Sequence, residues 1–326
     1  MKYITIIFGL LFLAVIVFTS CDTKTEDPEV IYESSYITGL TTNNFPRMDN
    51  STSSYPLNVI IFCKLFDIDY KWVHEGNIDM WNVQPQINSG NKKQFDNLIK
   101  RSQTHGSFIN LISKDTDLIL AARKMSAHEK TYANEAGIDL IEIPIALDAF
   151  IFIVNPNNLI ESLTISQIQD IYSKKIINWN DLGGDSVEIR PYVRDRNSGS
   201  QELMDSLVMK DLDYYQYFQG SPEYNIINSM IPTFERVSTD RYSICYSLYF
   251  FKEQMIRKEN FTKTISVDGI FPNKETIRNY SYPLVSEVYA VIRSDADISS
   301  MTYKVFEWLQ TEAGKKVISE SGYIPN

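Results

Sequence analysis

Asp117-Leu-Ile-Leu-Ala121, Ser126-Ala-His-Glu-Lys-Thr-Tyr-Ala-Asn-Glu-Ala-Gly137, Leu140-Ile-Glu-Ile-Pro144 and Ala149-Phe-Ile-Phe-Ile-Val154 follow one another with only short breaks. The first, third and fourth are apolar runs of strand length. The second opens on a capping serine and closes on a glycine stop, so the order is strand, helix, strand, buried strand. Working outward, Leu163 to Tyr172 places Ile165, Ile168 and Tyr172 on one helical face behind a Thr164 cap, Trp179 to Gly184 is a turn, and Thr302 to Ser319 is helical with Phe306, Trp308, Leu309 and Val317 on its apolar stripe. Strands alternating with helices give an α/β protein. Residues 71–87 and 100–114 mix polar and apolar positions without a clear period.

The ends carry different information. Lys2, the apolar run Ile4 to Phe18 and the box Phe18-Thr-Ser-Cys21 read as a lipoprotein signal over residues 1–20, with Cys21 as the mature N-terminus and lipid attachment site. Residues 21–40 are expected to form a flexible tether, because Asp22 to Glu29 is polar, acidic and contains proline. Cys63 and Cys245 each lie in an apolar run, which favours two buried thiols over one bridge. About 300 residues remain, enough for two lobes with their own cores. The net charge of −10 argues against nucleic acid. It leaves a small anion open as ligand, because distant surface charge is screened beyond about 8–10 Å.

The inventory of catalytic devices is short. His74, His105 and His128 are the only histidines, with no carboxylate at metal-ligand spacing. No Gly-x-Ser-x-Gly elbow, phosphate loop or dinucleotide fingerprint occurs. The expectation is a binding protein, no enzyme, with no metal and no cofactor.

Three stretches suit oxyanion binding. Arg194-Asp-Arg-Asn-Ser-Gly-Ser-Gln-Glu202 places Ser198, Gly199 and Ser200 before a helical pattern and supplies, in Arg194, one permanent cation. A guanidinium matches two oxygens of a tetrahedral anion, and helix N-termini favour negative charge. A surface turn capping the helix would use the same residues. Ser51, Thr52, Ser53 and Ser54 precede the apolar run Val59 to Phe66 in the same way, though Ser and Thr also suit ordinary loops. Ser89-Gly90-Asn91 is a third candidate, with a simple Asn91 cap as its alternative.

Taken in order, Pro46-Arg-Met-Asp-Asn-Ser-Thr-Ser53, Pro144 to Asn155, Leu163 to Ser173, Ile177 to Gly184, Arg194 to Gln201, Val267 to Pro272 with Glu275 to Ile277, Tyr282-Pro-Leu284 and Gly322 to Pro325 resemble the phosphate-binding lipoproteins of ABC-type phosphate importers, a branch of the type II periplasmic binding proteins. The resemblance implies two α/β lobes, each a mixed sheet flanked by helices, with a ligand cleft between them. Lobe 1 would comprise 41–147 plus 281–326 and lobe 2 would comprise 148–280, the chain crossing near Ala146 to Ala149 and returning near Tyr280 to Pro283. It implies Ser51, Thr52 and Ser53 in a first anion loop, Arg194, Ser198, Gly199 and Ser200 in a second, and Asn91 near a remaining hydroxyl position. The partners implied are inorganic phosphate or a similar oxyanion, an ABC permease pair, and a membrane reached through the N-terminal lipid, the protein acting outside the cytoplasm as a monomer.

Two departures from the family pattern stand out. Asn50 replaces a glycine, which is tolerable because Asn enters left-handed conformations readily. The aspartate that accepts the proton of hydrogenphosphate in relatives falls on Ala122 or Arg123, so discrimination against sulfate could relax. Arg123 is expected either to add charge to the site or to be a solvated residue at the start of a helix; Asp117 is expected to be structural. Sulfate, molybdate or an organic phosphate on the same scaffold, or a sensory or surface lipoprotein outside transport, are the alternative readings.

Overall fold

The computed structural model describes residues 27–75, 80–219 and 226–326; the expected signal at 1–20, the expected lipid site Cys21 and the start of the expected tether lie outside them. From the N-terminal side come β1 (Met48–Asn50), α1 (Tyr55–Leu65), the hairpin β2 (Tyr70–Glu75) and β3 (Met80–Pro85), α2 (Ser89–Leu98), α3 (Gln103–Ile112), β4 (Leu118–Ala121), α4 (Ala127–Ala136) and β5 (Leu140–Val154). Then follow β6 (Ser162–Leu163), α5 (Ile165–Tyr172), β7 (Arg190–Pro191), β8 (Val193–Arg194), α6 (Gly199–Leu203), β9 (Ile226–Ile227), α7 (Met230–Thr239) and β10 (Ser243–Leu248). The chain closes with β11 (Lys263–Thr264), β12 (Ser266–Val267), α8 (Lys274–Arg278), β13 (Val285–Arg293), α9 (Met301–Trp308), α10 (Glu312–Ser321) and β14 (Ile324–Pro325).

β5 organises the molecule. The two strands expected at 140–144 and 149–154 are one continuous strand of 15 residues. Its first part, Leu140 to Ala149, pairs antiparallel with β13, and its last part, Phe150 to Val154, pairs antiparallel with β10. Beyond β13 lie β4 and, parallel to it, β1; beyond β10 lies β7. One strand therefore serves two sets of neighbours and changes partners between Ala149 and Phe150. The register with β13 slips between Val288 and Tyr289, opposite Pro144. Proline has no N–H to give the ladder, and a bulge is how a sheet absorbs it.

Local signals placed several helices correctly. Ser126 and Glu129 form a capping box on α4, which ends at Gly137 in the left-handed conformation (φ 66°). Thr164 and Gln167 do the same for α5. The turn at 179–184 is a 3-10 turn that buries Trp179, whose Nε1 donates to Tyr242 O at 2.9 Å. Cys63 and Cys245 are free and buried, and burial raises both thiols to about 12. The single helix expected at 302–319 is instead two, α9 and α10. Thr311 caps the second by accepting from Gly314 N, and Gly314 lets it abut the first, since a Cβ there would lie 2.3 Å from Trp308 O.

The tether expected at 21–40 is bound from its first described residue onward. Asp27 Oδ2 accepts from Ser89 Oγ at 2.9 Å, Glu33 bridges to Thr41, and Ile37 and Leu40 join the core. The polar composition of Asp22 to Glu29 hid this, because the contacts of Asp27 and Pro28 are hydrogen bonds to Ser89 and Asn88, which need no apolar residues.

Candidate functional site

β1 runs parallel to β4, and the chain leaving it turns through Ser51 to Ser54 into α1, with Pro56 in the first helical turn. That turn is fixed to β4: Ser51 N donates to Leu120 O at 3.0 Å, and Ser54 Oγ donates to the same carbonyl at 2.7 Å. Ser51 Oγ accepts from Ala122 N at 3.0 Å and shares a hydrogen bond with Thr104 Oγ1 at 2.8 Å. Asp49 binds the start of α3 to this turn. Its carboxylate accepts from Asn50 N, Ser102 N and Asn110 Nδ2 at 2.8, 2.9 and 2.7 Å.

On the other side, β8 delivers Arg194, which is 3 % exposed. Its N–H reaches Gln201 Oε1 and Tyr246 Oη at 3.0 and 2.9 Å, its carbonyl accepts from Tyr215 Oη at 2.9 Å, and its Nε donates to Ile227 O at 2.9 Å. Nη1 is buried without a partner, and no ion pair joins this guanidinium to a carboxylate among the described residues. Burial lowers its pKa, since desolvation disfavours the charged form. Ser198 caps α6, accepting from Gln201 N at 3.3 Å, and α6 continues through a π-helical segment, Met204–Met209.

These two constructions face one cavity of about 280 Å³. Ser51, Thr52 and Ser53 line it from one side and Arg194, Ser198, Gly199 and Ser200 from the other. Ser229 and Met230, at the start of α7, and Gln103 and Thr104, at the start of α3, also line it. The first turns of several helices therefore meet at one point, an arrangement that attracts negative charge and offers free N–H groups.

Asn91 does not line this cavity. Its Oδ1 accepts from Val30 N at 3.0 Å and its Nδ2 donates to Val30 O at 2.7 Å, so it holds the incoming N-terminal segment. Nor does it cap α2; Asn88 does, by accepting from Asn91 N at 2.9 Å. Arg123 corrects both expectations made for it. It is 5 % exposed, and its Nη1 and Nη2 grip Glu129 at 2.7 and 2.8 Å. Burial alone would raise the Glu129 carboxyl; Arg123, the Ser126 N–H and His105 outweigh it and hold the group below the usual carboxylate range. Asp117 is structural as expected, bound to Arg47 Nε and Nη2 at 2.9 and 2.8 Å.

A second cation was missed. Arg101 lines the cavity, with its guanidinium 5.1 Å from the Tyr55 ring and 3.8 Å from Glu75 Oε2, so Arg194 is not alone. Ala122 is in the wall, and no Asp or Glu is among the described lining residues. Arg101, Gln103 and Thr104 fall in the stretch without clear period. Gln103 has a left-handed backbone (φ 64°), which breaks the helical pattern where α3 begins, and only an arginine beside hydroxyl residues could have marked it.

Comparison with known proteins gives a consistent result. A family model described as a PBP superfamily domain matches residues 89–312. The chain is 26% identical over 184 residues to the phosphate-binding protein PstS of Borreliella burgdorferi, covering 56% of this chain and 65% of that protein. It is 28% identical over 228 residues to the phosphate-binding protein PstS of Staphylococcus saprophyticus, covering 68% and 69%. Among solved structures, a putative phosphate ABC transporter substrate-binding protein with bound phosphate from Clostridium perfringens superposes with a TM-score of 0.61 at 20% identity, covering 86% of this chain and 98% of that one. The fold is thus the two-lobed, type II periplasmic-binding-protein fold that the sequence led us to expect.

Proposed function

The chain belongs to the PBP superfamily, and on that premise we propose that it captures phosphate or a related tetrahedral oxyanion in the cavity between Ser51–Ser53 and Arg194–Ser200 and delivers it to an ABC importer. The observation that carries this reading is Arg194: a buried guanidinium in a cavity wall, with its Nη1 unpartnered and no carboxylate in ion-pair contact with it among the described residues. A buried cation is costly unless a counter-charge is bound, and each charge-assisted hydrogen bond to an anion returns roughly 1.5–3 kcal/mol. The names of the relatives, phosphate-binding proteins, support the choice of anion.

In this proposal 41–147 with 281–326 forms one lobe and 148–280 the other, hinged where β5 exchanges β13 for β10. Closure around the guest presents a new surface to a permease pair. The chain is a monomeric receptor that makes and breaks no covalent bond, held to a membrane by lipid on Cys21, with its body outside the cytoplasm. The described residues contain no helix long and apolar enough to cross a membrane.

The test is calorimetric titration of mature protein with phosphate. Arg194→Ala is expected to weaken binding at least about tenfold, equivalent to roughly 1.4 kcal/mol. Unchanged affinity in a folded variant would remove the assignment.

A further inference from the structure

Resting on the oxyanion reading, we infer that this cavity selects its guest by charge and size and does not discriminate by the guest's proton, so that sulfate and phosphate are bound with similar affinity. The polar inventory of the wall supports this. Its ionised side chains, Arg101 and Arg194, only donate hydrogen bonds. Its remaining polar side chains are serines, threonines and Gln103, and each of these donates or accepts as its neighbour requires.

A site that admits hydrogenphosphate and rejects sulfate needs a group that accepts and cannot donate, so that a guest without a proton meets an unpaired, repelling acceptor. No described lining side chain is of that kind. The carboxylates just outside are committed elsewhere. Asp49 accepts from three donors of β1 and α3, Glu129 is held by Arg123, Ser126 and His105, and Glu75 stands 3.8 Å from Arg101 without lining the cavity.

Within the wall, Ser51 Oγ already accepts the Ala122 N–H and shares one hydrogen with Thr104 Oγ1. Rotation of these hydroxyls, and a flip of the Gln103 amide that exchanges its oxygen for its NH2, lets the same side chains accept a proton from hydrogenphosphate or donate to a fully deprotonated sulfate. Neither guest leaves a buried group unpaired. The two guanidiniums favour a doubly charged guest of either kind.

The test uses mature protein freed of bound anion, titrated by calorimetry with inorganic phosphate and with inorganic sulfate at one neutral pH and ionic strength. Affinities within about tenfold of each other are expected; a larger preference for phosphate overturns the inference and leaves the oxyanion receptor standing. Binding of neither anion overturns both. Two variants supply the missing acceptor, Ala122→Asp in the wall beside Ser51 and Gln103→Glu at the start of α3. At least one that melts cooperatively is expected to shift the ratio of affinities toward phosphate by about tenfold or more. An unchanged ratio in folded variants overturns the inference.

Discussion

Gly199 packs against Thr104 so closely that a Cβ on it would sit 2.3 Å from Thr104 Oγ1 and 3.0 Å from Thr104 Cβ. The contact joins the start of α6 to the start of α3, two elements 95 residues apart in sequence, and it lies in the cavity wall. Glycine is required here by space and not by backbone angle. Thr104 cannot turn aside freely, because its hydroxyl is tied to Ser51. Gly199→Ala is therefore expected to hold the two sides apart and weaken oxyanion binding about tenfold or more, a loss of roughly 1.4 kcal/mol. Calorimetry checks the affinity. The melting temperature should change little, since the strain falls on the cavity wall and not on the apolar core.

Ser200→Val should also weaken binding. Ser200 is 4 % exposed in the cavity wall, and valine removes a hydroxyl while adding a methyl where the guest must fit. A loss of roughly 1–3 kcal/mol in affinity is expected from the unpaired acceptor and the lost space. Titration of Ser200→Ala beside it separates the two effects, the alanine variant losing less.

The Arg123–Glu129 pair predicts a stability effect with a definite pH dependence. Removing Arg123 leaves a buried carboxylate without its partner, and Arg123→Ala is expected to cost about 3–5 kcal/mol. Glu129 sits below its ordinary value of 4.5 in the folded protein, so the unfolded chain binds more protons in that window. Its stabilisation is fully present above 4.5 and is lost as pH falls through the lower, folded value. Acid unfolding followed by circular dichroism should show this dependence in the parent protein and a shallower one in Glu129→Gln.

Arg257 lies with its guanidinium 4.4 Å from the Trp72 ring and 5.3 Å from the Trp81 ring, fastening the β2–β3 hairpin to the segment after β10. The hairpin also bears Met80, in the cavity wall, and Glu75, beside Arg101. Arg257→Ala should remove roughly 0.5–2 kcal/mol of cation–π attraction and shift tryptophan emission. Fluorescence on anion titration checks both, with a weaker midpoint expected in the variant.

Much of this architecture was legible in the chain because it depends on local rules. The cap at Ser126, the stop at Gly137 and the apolar run 149–154 each act through neighbours a few residues away. What escaped depends on distant partners. The β2–β3 hairpin lacks strict alternation because its faces are unequally covered. The start of α3 looked aperiodic because Thr104 and Ser107 are polar yet buried, the first serving the cavity and the second bonding back to Thr104 O. Arg123 looked like a free cation because its partner, Glu129, also reads as the ordinary member of a capping box. The sequence signals for Ser51–Ser53 and Arg194–Ser200 were both short; no local pattern could pair them in one cavity, and the expectation that they meet came from the family resemblance.

Asp148 ties the partner exchange in β5 to titration. It lies one residue before Ala149, fully buried, and its Oδ1 accepts from Ala149 N at 2.8 Å and from Phe250 N at 2.9 Å while Oδ2 has no partner. Burial raises its pKa from 3.8 to about 7, against the lowering effect of the two backbone bonds. The sign is opposite to that of Glu129. The folded protein holds the proton more tightly than the unfolded chain, so this residue's contribution to stability falls as pH rises from about 4 to about 7 and is constant above. Asp148→Asn keeps an oxygen for both N–H groups and carries no charge. It should raise stability on the order of a few kcal/mol above neutrality, a gain that shrinks to nothing as pH falls toward 4. Thermal melts of parent and variant across that range check the prediction: curves that stay parallel at every pH would mean the carboxyl at the crossing does not titrate between the two states.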